Sequence, residues 1–473
     1  MSDLTHLSAV ELGGRIAAGE ILPSEIMTAA IEKIERLNPT LNAFVALRAE
    51  QALEEARALD ERISAGERIG PLAGIPIAVK DLEDVGGMVT SCGSTALKDQ
   101  LADRDSVQVA RLKRAGAIVI GKTNTPEFGF LFFTKNRLYG TTPNPWRLDR
   151  TSGGSSGGAA AAVAGGMLPM ATGSDAGGSI RTPAAFCGCF GLKTSAGRIP
   201  FSSFPGPADL LPMHPIGVLG PLTRTVADAA LYLDCAAGFH PSDPVSLPAP
   251  TSSYAARLED LPRNLRIAFS PDLGYAKVQG EVLDLVEAAA RSFEQMGCRV
   301  EPWHDGLPDV CDGWATLVNC DFYAQIHDLL KTSRRDLGRS LVAILEESKD
   351  VTFDDLLSAQ AQRTVLNKRL WELFDDFDLL LTPTMPMEAF GAGGPPPDEI
   401  DGTPIALLGA LAFTYPFNLS GNPAASVPAG FTASGLPAGL QIVGPRQRDD
   451  LVLQAARAFE KAMPWEQHRP PIG

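Results

Sequence analysis

The sequence predicts an α/β fold. Near the start of the chain, apolar residues recur with the spacing of amphipathic helices, and short apolar runs bounded by Gly and Pro follow. Helix and strand patterns then alternate, which is typical of helices layered on a sheet. The 473 residues fit either three average domains or one large α/β domain with insertions. A content of 45% hydrophobic residues is enough to bury a substantial core.

Residues 1–64 are predicted to form N-terminal helices. In "LSAVELGGRIAAGE", Ser8 and Glu11 have the spacing of a capping box. A charged helix is expected over residues 49–64. Between them, "PSEIMTAAIEKIERLN" has its apolar residues on one helical face: Ile26, Ala29, Ala30, Ile34 and Leu37.

Helix and strand patterns alternate most clearly from about residue 70 to residue 235. "GIPIAVKDLEDV" predicts a buried strand that ends at Lys80, and a lysine is unusual at the end of such a strand. "DSVQVARLKRAGAIVIGKTNT" predicts an amphipathic helix followed by a second strand. The alanine-rich residues 159–171 predict a tightly packed helix.

The remaining chain divides into two further segments. Residues from about 240 to 375 predict a variable, mostly helical segment that begins with one strand, and we expect it to sit on the main sheet rather than fold independently. From about residue 376 to residue 473, "DLLLTPT" predicts a strand, and a hairpin and a closing helix follow. The last segment therefore returns to the sheet.

Charge and cysteine content restrict the partners and the compartment. A net charge of −15 with no cluster of basic residues argues against a nucleic-acid partner. The seven cysteines lack a zinc-type arrangement, so we expect reduced thiols and no metal site. The first residues have neither a basic nor an apolar targeting region, and no apolar run could span a bilayer. A cytoplasmic protein without a membrane anchor is expected.

The stretch "TSGGSSGGAAAAVAGG", residues 151–166, is open to several interpretations. A phosphate-binding loop would need a Lys before its last Ser or Thr, and a dinucleotide fingerprint would need a preceding strand; both are missing. "GGSSG" also fits the GxSxG nucleophile motif, with Ser155 as nucleophile. That motif needs a strand before the turn and a downstream histidine, and none of the downstream histidines lies in a convincing setting.

A second serine offers a different interpretation. In "ATGSDAGGSIRTPAAFCG", Ser179 follows Gly177 and Gly178, which leave backbone N–H groups unobstructed beside a nucleophile. Because no suitable histidine is present, the base must be another group. Lys80 is the natural candidate, since desolvation lowers the pKa of a buried lysine.

Long motifs around these residues resemble those of the amidase signature family. The resemblance covers nearly the whole chain and rests on "GIPIAVKD", "GGSSGGAAAAVA", "GSDAGGSIRTPAAFCG" and "GLKTSAGRIP". It implies a single large domain over residues 1–473, with a mixed, mostly parallel sheet covered by helices on both sides. It also implies amide hydrolysis without a metal or organic cofactor.

The resemblance implies a Ser–cisSer–Lys triad made of Ser179, Ser155 and Lys80. Ser179 would attack the amide carbonyl, and Ser155, after a cis peptide bond from Gly154, would relay its proton to Lys80. Asp175 and Arg181 are expected to pair and fix the turn, although direct substrate contact is an alternative. Ser156 either hydrogen-bonds to the catalytic loop or is only a small residue there. The oxyanion would be bound by four backbone N–H groups, those of Ala176, Gly177, Gly178 and Ser179.

The substrate is less well determined. Hydrophobic residues that could line the pocket favour an aryl or alkyl amide, although core packing explains them equally well: Phe130, Phe133, Phe201, Phe204 and Leu211. The segment after "GLKTS" departs from the amidotransferase members of the family, so that alternative is disfavoured. Carbamates, ureas and esters stay open, as does a non-catalytic binding role. The sequence leaves monomer and homodimer open as well.

Overall fold

One sheet of eleven strands connects the parts of the chain. The computed structural model describes residues 4–201 and 214–472. Two short two-stranded ribbons accompany the main sheet in these residues. The strands are β1 (Phe44–Leu47), β2 (Pro76–Lys80), β3 (Ile118–Thr123), β4 (Lys135–Asn136), β5 (Gly140–Thr141), β6 (Met170–Asp175), β7 (Phe190–Lys193), β8 (Val218–Thr223), β9 (Arg266–Phe269), β10 (Arg299–Pro302), β11 (Leu379–Pro383), β12 (Glu399–Ile400), β13 (Thr403–Pro404), β14 (Ala424–Phe431) and β15 (Pro437–Val443).

Helices connect and cover these strands. They are α1 (Ala9–Ala17), α2 (Pro23–Leu41), α3 (Ala49–Ser64), α4 (Val107–Arg114), α5 (Gly157–Ala164), α6 (Arg181–Cys187), α7 (Val226–Ala236), α8 (Gly280–Gln295), α9 (Cys311–Ile326), α10 (Leu329–Thr332), α11 (Arg339–Glu347), α12 (Phe353–Asp376), α13 (Tyr415–Ser420) and α14 (Asp449–Ala462). Short 3-10 turns lie at Leu4–His6, Thr95–Leu97, Glu127–Gly129, Ser348–Asp350 and Gly409–Leu411. No helix in the described ranges is long and apolar enough to cross a membrane.

The main sheet is mixed, as predicted for an α/β fold. Its strand order is β1-β3-β2-β6-β8-β7-β14-β15-β11-β9-β10. Among the described strands the parallel pairs are β3/β2, β2/β6, β11/β9 and β9/β10, and the other six neighbouring pairs are antiparallel. The resemblance implied a mostly parallel sheet, but only four of the ten neighbouring pairs of described strands are parallel. The pairs in the middle of the sheet are antiparallel. There, β14 and β15 form a hairpin, and β8 runs antiparallel to both of its neighbours, β6 and β7.

Both faces of the sheet are buried. Along β2, Ile77 and Val79 pack into one hydrophobic cluster, whereas Ala78, which points to the opposite face, packs into another. Along β11, Leu379 and Leu381 likewise belong to a different cluster from Leu380. Because successive strand residues point to opposite faces, the two clusters on each strand identify helical layers on both sides.

Most predicted elements are present, with two differences. The capping box of Ser8 and Glu11 begins α1, and α3 spans the predicted charged helix. The predicted helix over 159–171 is shorter, because α5 ends at Ala164 and β6 already begins at Met170. In the variable segment, β10 is a second strand that the sequence did not indicate, and it extends the sheet edge beside β9.

Candidate active site

Lys80 lies at the end of β2, where the prediction placed it, and it is completely buried. Its backbone N–H donates to Thr172 Oγ1 at 3.0 Å, and its Nζ lies 2.9 Å from Ser174 Oγ. Thr172 and Ser174 are two positions apart on β6, the parallel neighbour of β2, so both point to the face that Lys80 occupies. Residues of β6 thus hold Lys80 both at its backbone and at the end of its side chain.

Ser155 lies directly against the lysine. The distance between Lys80 Nζ and Ser155 Oγ is 2.7 Å, and Ser155 is buried. The Gly154–Ser155 peptide bond is cis, as the resemblance implied. A Cβ atom on Gly154 would lie 2.7 Å from Phe133 N and 2.8 Å from Phe132 C, so only glycine fits against that backbone.

Among the described residues, Lys80 has two hydroxyl partners and no carboxylate within ion-pair distance. Burial lowers the pKa of Lys80 to about 7, and the charges of Asp175 and Glu83 oppose only part of this shift. A lysine with that pKa is neutral in a large fraction of molecules near neutral pH. Lys80 can therefore accept a proton from the hydroxyl of Ser155.

A buried ion pair shapes the turn that carries Ser179. Arg181 Nη2 lies 2.9 Å from Asp175 Oδ1 and Arg181 Nε lies 3.1 Å from Asp175 Oδ2, so the two side chains pair as predicted. Although burial disfavours the charged carboxyl, Arg181 holds the pKa of Asp175 well below its usual range. The same carboxylate accepts N–H bonds from Gly178, Ile180 and Arg181. The turn is thus wrapped around one carboxylate.

The N–H groups of the turn divide into two kinds. The Gly178 N–H donates to Asp175 Oδ1 at 2.8 Å, so it is engaged within the turn. Within the described ranges, the N–H groups of Ala176, Gly177 and Ser179 donate to no other residue. Three of the four predicted oxyanion donors are therefore open, and the fourth holds the turn. Ser156 is tied to the same loop, because its N–H donates to Ser179 O at 3.1 Å and its Oγ lies 3.4 Å from Ser174 O.

Ser155, Ser179 and Ala176 border one cavity with a mostly apolar lining. Phe201 borders it as predicted, whereas Phe130 is not a lining residue and packs edge-on against Phe322, which is one. Phe133 packs instead with Phe132 and Phe390, so it is not part of the cavity. Phe204 and Leu211 lie outside the described residues. Among the described residues, the other side chains at the wall are Leu82, Phe128, Ser174, Asp175, Ile216, Val318, Asp321, Phe322 and Gln325.

Sequence reasoning missed several of these residues. Ser174 could have been found, because it lies two residues after Thr172 on a strand, so both side chains point to one face of the sheet. Both residues contact Lys80, which ends the neighbouring strand. Val318 and Phe322 lie one turn apart on α9 and so face the cavity together. Nothing local marks α9 as part of the site, since it packs there only in the folded chain. Among the described residues, no group of three or more His, Cys, Asp or Glu side chains could hold a metal ion.

Comparison with known proteins gives one consistent family. The family model described as Amidase matches residues 25–453. An acylamidase of Rhodococcus erythropolis is 39% identical over 99% of this chain and 98% of its own length. A component of the glutamyl-tRNA(Gln) amidotransferase of Moorella thermoacetica is 35% identical over 100% of this chain and 99% of its own length.

The solved structures agree with the sequence relatives. A bacterial aryl acylamidase of the amidase signature enzymes superposes with a TM-score of 0.91 at 37% identity, covering 98% of this chain and 97% of that one. The family model spans every strand of the main sheet, including those that carry Lys80 and Ser174, and the superposition covers nearly the whole chain. The chain therefore belongs to the amidase family, whose members include the amidase signature enzymes.

Proposed function

We propose that this chain is an acylamidase that hydrolyses small aryl or alkyl amides through an acyl-enzyme on Ser179. The observation that carries the proposal is the 2.7 Å contact between Lys80 Nζ and Ser155 Oγ beside the cavity that Ser179 borders. A buried lysine whose strongest partners are hydroxyls is suited to move a proton, not to balance a charge. Ser155 lies between Lys80 and the cavity, where a relay is needed.

Acylation begins with attack of Ser179 Oγ on the amide carbonyl carbon. The Ser179 proton passes to Ser155 Oγ while Ser155 transfers its own proton to neutral Lys80 Nζ. The carbonyl oxygen becomes an oxyanion, which the open N–H groups of Ala176, Gly177 and Ser179 stabilise. Lys80 then returns a proton through Ser155 to the amide nitrogen, the C–N bond breaks, and the amine leaves.

Deacylation repeats these steps with water. Water attacks the ester carbon of the acyl-enzyme, and its proton follows the same path through Ser155 to Lys80. The second oxyanion collapses, the bond to Ser179 Oγ breaks, and Ser155 returns the proton to Ser179. The products are the carboxylic acid and the free amine, and no other group is consumed.

The wall of the cavity supports an apolar acyl or aryl group. Leu82, Phe128, Phe201, Val318 and Phe322 contribute carbon surface, which makes up most of the wall. The polar side chains at the described part of the wall are Ser155, Ser174, Asp175, Ser179, Asp321 and Gln325. Apolar walls with a few placed polar groups are typical of small-molecule sites. The names of the acylamidase relatives agree with such a substrate.

A panel of anilides, aliphatic amides, carbamates and glutamine, each read for released amine or ammonia, tests the substrate. We expect anilides or short alkyl amides to be cleaved fastest and glutamine slowest. Preferred release of ammonia from glutamine would support the glutaminase alternative, which the similarity to the amidotransferase relatives keeps in view. Faster cleavage of carbamates, followed by loss of carbon dioxide, would support the carbamate alternative instead.

A fluorophosphonate probe tests the nucleophile independently of the substrate. We expect the phosphorus to bond to Ser179 Oγ as fluoride leaves, and the Ser179→Ala variant to remain unlabelled. Labelling at Ser155 would support the α/β-hydrolase alternative, and no labelling at either serine would support a binding role. Peptide mapping by mass spectrometry distinguishes these outcomes.

Two broader predictions belong to the same proposal. We propose that residues 1–473 form one domain, because the main sheet takes β1 from the first segment, β9 and β10 from the variable segment, and β11 from the last one. We also propose a cytoplasmic location, which the seven free cysteines support. Limited proteolysis and labelling of the thiols in intact cells test these two predictions.

A further inference from the structure

Three successive carbonyl groups of the turn before Ser179 are each held by a side chain from a distant part of the chain. Asn418 Nδ2 donates to Asp175 O at 2.8 Å, and Trp314 Nε1 donates to Ala176 O at 2.7 Å. Thr414 Oγ1 donates to Gly177 O at 2.6 Å. Trp314 lies on α9. Thr414 immediately precedes α13, and Asn418 lies within that helix.

Holding a carbonyl also fixes the next N–H group. In a trans peptide the C=O of one residue and the N–H of the next lie in one plane and point in opposite directions. Neither Ala176–Gly177 nor Gly177–Gly178 is among the cis peptides. The bond from Trp314 to Ala176 O therefore orients the N–H of Gly177, one of the open donors of the turn.

The Trp314 ring is fitted closely to this peptide. A Cβ atom on Gly177 would lie 2.3 Å from the Cζ2 atom of Trp314, so the indole occupies the space that any larger residue would need. The indole also stacks on Tyr415, with 5.4 Å between ring centroids. Trp314 does not border the cavity itself, so it acts on the turn and not on substrate.

From this geometry we infer that Trp314 is a positioning residue for the oxyanion site, with Thr414 in a supporting role. The inference rests on the proposed function and adds to it which residue outside the catalytic motifs sets the direction of the Gly177 N–H. It also gives α9 two tasks, since Val318 and Phe322 of the same helix border the substrate cavity. One helix of the variable segment therefore contributes both residues that contact substrate and the residue that orients an oxyanion donor.

The test replaces the indole while retaining a ring. In Trp314→Phe, kcat for an anilide should fall about 10-fold to 100-fold with little change in KM, somewhat less than the loss of an oxyanion donor itself. Trp465→Phe is the matched control, because Trp465 is equally buried and its Nε1 also donates to a backbone carbonyl, that of Arg224, at 2.9 Å. The control should retain nearly full activity.

Inhibitors separate positioning from a general structural effect. A trifluoromethyl ketone forms an oxyanion adduct with Ser179, whereas the methyl ketone of the same skeleton binds without one. Trp314→Phe should weaken the trifluoromethyl ketone about tenfold and leave the methyl ketone unchanged. Equal weakening of both ketones, or changes no larger than in Trp465→Phe, would overturn the inference.

A second pair of variants covers the case in which Trp314→Phe does not fold. Thr414 holds the Gly177–Gly178 peptide, which shares Gly177 with the peptide that Trp314 holds. Thr414→Val, which removes the hydroxyl at constant size, should therefore let Gly177 rotate and selectively weaken the trifluoromethyl ketone, whereas Thr414→Ser should restore its binding. Thr223→Val, which removes another buried hydroxyl that donates to a carbonyl, is the control. If the wild-type chain cleaves no amide and binds no trifluoromethyl ketone, the proposed function fails. If it does both and the variants match their controls, only this inference fails.

Discussion

Two buried lysines lie on neighbouring strands of the sheet, and their surroundings differ. Lys80 on β2 lies next to Ser155 Oγ at 2.7 Å and Ser174 Oγ at 2.9 Å. Lys122 on the parallel strand β3 lies 3.1 Å from Asp81 Oδ1 and donates to Thr90 Oγ1 at 3.0 Å. Both are completely buried.

The difference teaches that the partner, more than burial, decides what a buried lysine does. A carboxylate partner favours the charged form and makes Lys122 half of an internal ion pair. Hydroxyl partners leave the desolvation of Lys80 largely unopposed, so its pKa lies at about 7. A third buried lysine, Lys193, shows that a low pKa is not sufficient: its pKa is also lowered to about 7 by burial, yet its Nζ donates to the backbone of Thr194.

The largest effect is expected from Lys80→Met. Removing the proton acceptor should lower kcat for an anilide about 10⁴-fold or more, as for a member of a catalytic triad, while the protein stays folded. Steady-state kinetics together with circular dichroism measure both properties. Turnover within tenfold of wild type would mean that Lys80 is not the base. Lys80 and Lys122 would then not differ in catalytic role.

Lys122→Met should instead act on stability. It leaves the buried Asp81 carboxylate without its cation, which costs about 3–5 kcal/mol in the free energy of unfolding. The matched control is Lys80→Met, which should lower this free energy far less. Folding lowers the Lys80 pKa from 10.5 to about 7. The unfolded chain therefore binds a proton that the folded chain does not as pH falls from 10.5 to about 7, which costs stability, and methionine removes that cost. Urea unfolding at pH 7 compares the variants, and equal destabilisation by both would contradict the comparison.

The pH profile of kcat/KM sharpens the assignment further. Because neutral Lys80 is the acceptor, kcat/KM should rise about tenfold per pH unit below its pKa of about 7 and level off above it. Initial rates between pH 5 and pH 9, with a substrate whose cleavage step is rate-limiting, measure the profile. Lys193→Met is the control, because it removes the other lysine with a pKa of about 7 and should leave the profile unchanged. A flat profile in wild type would contradict the role of Lys80.

How much the sequence revealed differs between these regions. Ser179 and Lys80 were candidates from the residues themselves, because two glycines precede the serine and a lysine is unusual at the end of a buried strand. The relay role of Ser155 was implied only by the resemblance to the amidase signature family. The pair of Asp175 and Arg181 was predicted because the two residues are six positions apart in one turn. Lys122, by contrast, lies in an ordinary strand pattern, and its ion pair with Asp81 depends on how β2 and β3 align.

The parts that could not be predicted depend on contacts between distant segments. Trp314 and Ala176 are 138 positions apart in the chain, and no local pattern encodes where α9 packs. The same reason explains why Phe133, although it belongs to a run of aromatic residues near the site, packs in the core. For the fold, helix and strand periodicity indicated most elements, but the direction of each strand depends on chain connections that periodicity does not contain.

The smallest effect is expected at the part of the cavity wall that α9 contributes. Phe322→Ala enlarges the cavity that Ser155 and Ser179 border and removes the edge-on contact with Phe130. For acetanilide, kcat/KM should fall about tenfold, because the lost apolar contact amounts to roughly 1–2 kcal/mol. Anilides with a bulkier acyl group should lose less or gain, since the group can fill the vacated space. Competition between the two anilides measures this preference directly.

The pH profile of the Phe322→Ala variant connects this prediction to the two lysines. If Lys80 alone supplies the base, the variant should select different acyl groups and still rise to the same plateau through a pKa of about 7. Phe353→Ala is the control, because Phe353 lies in the same variable segment but is 73% exposed, and it should change neither property. A shifted profile in Phe322→Ala would mean that the cavity wall also sets the desolvation of Lys80, so that substrate choice and proton transfer could not be assigned to separate regions.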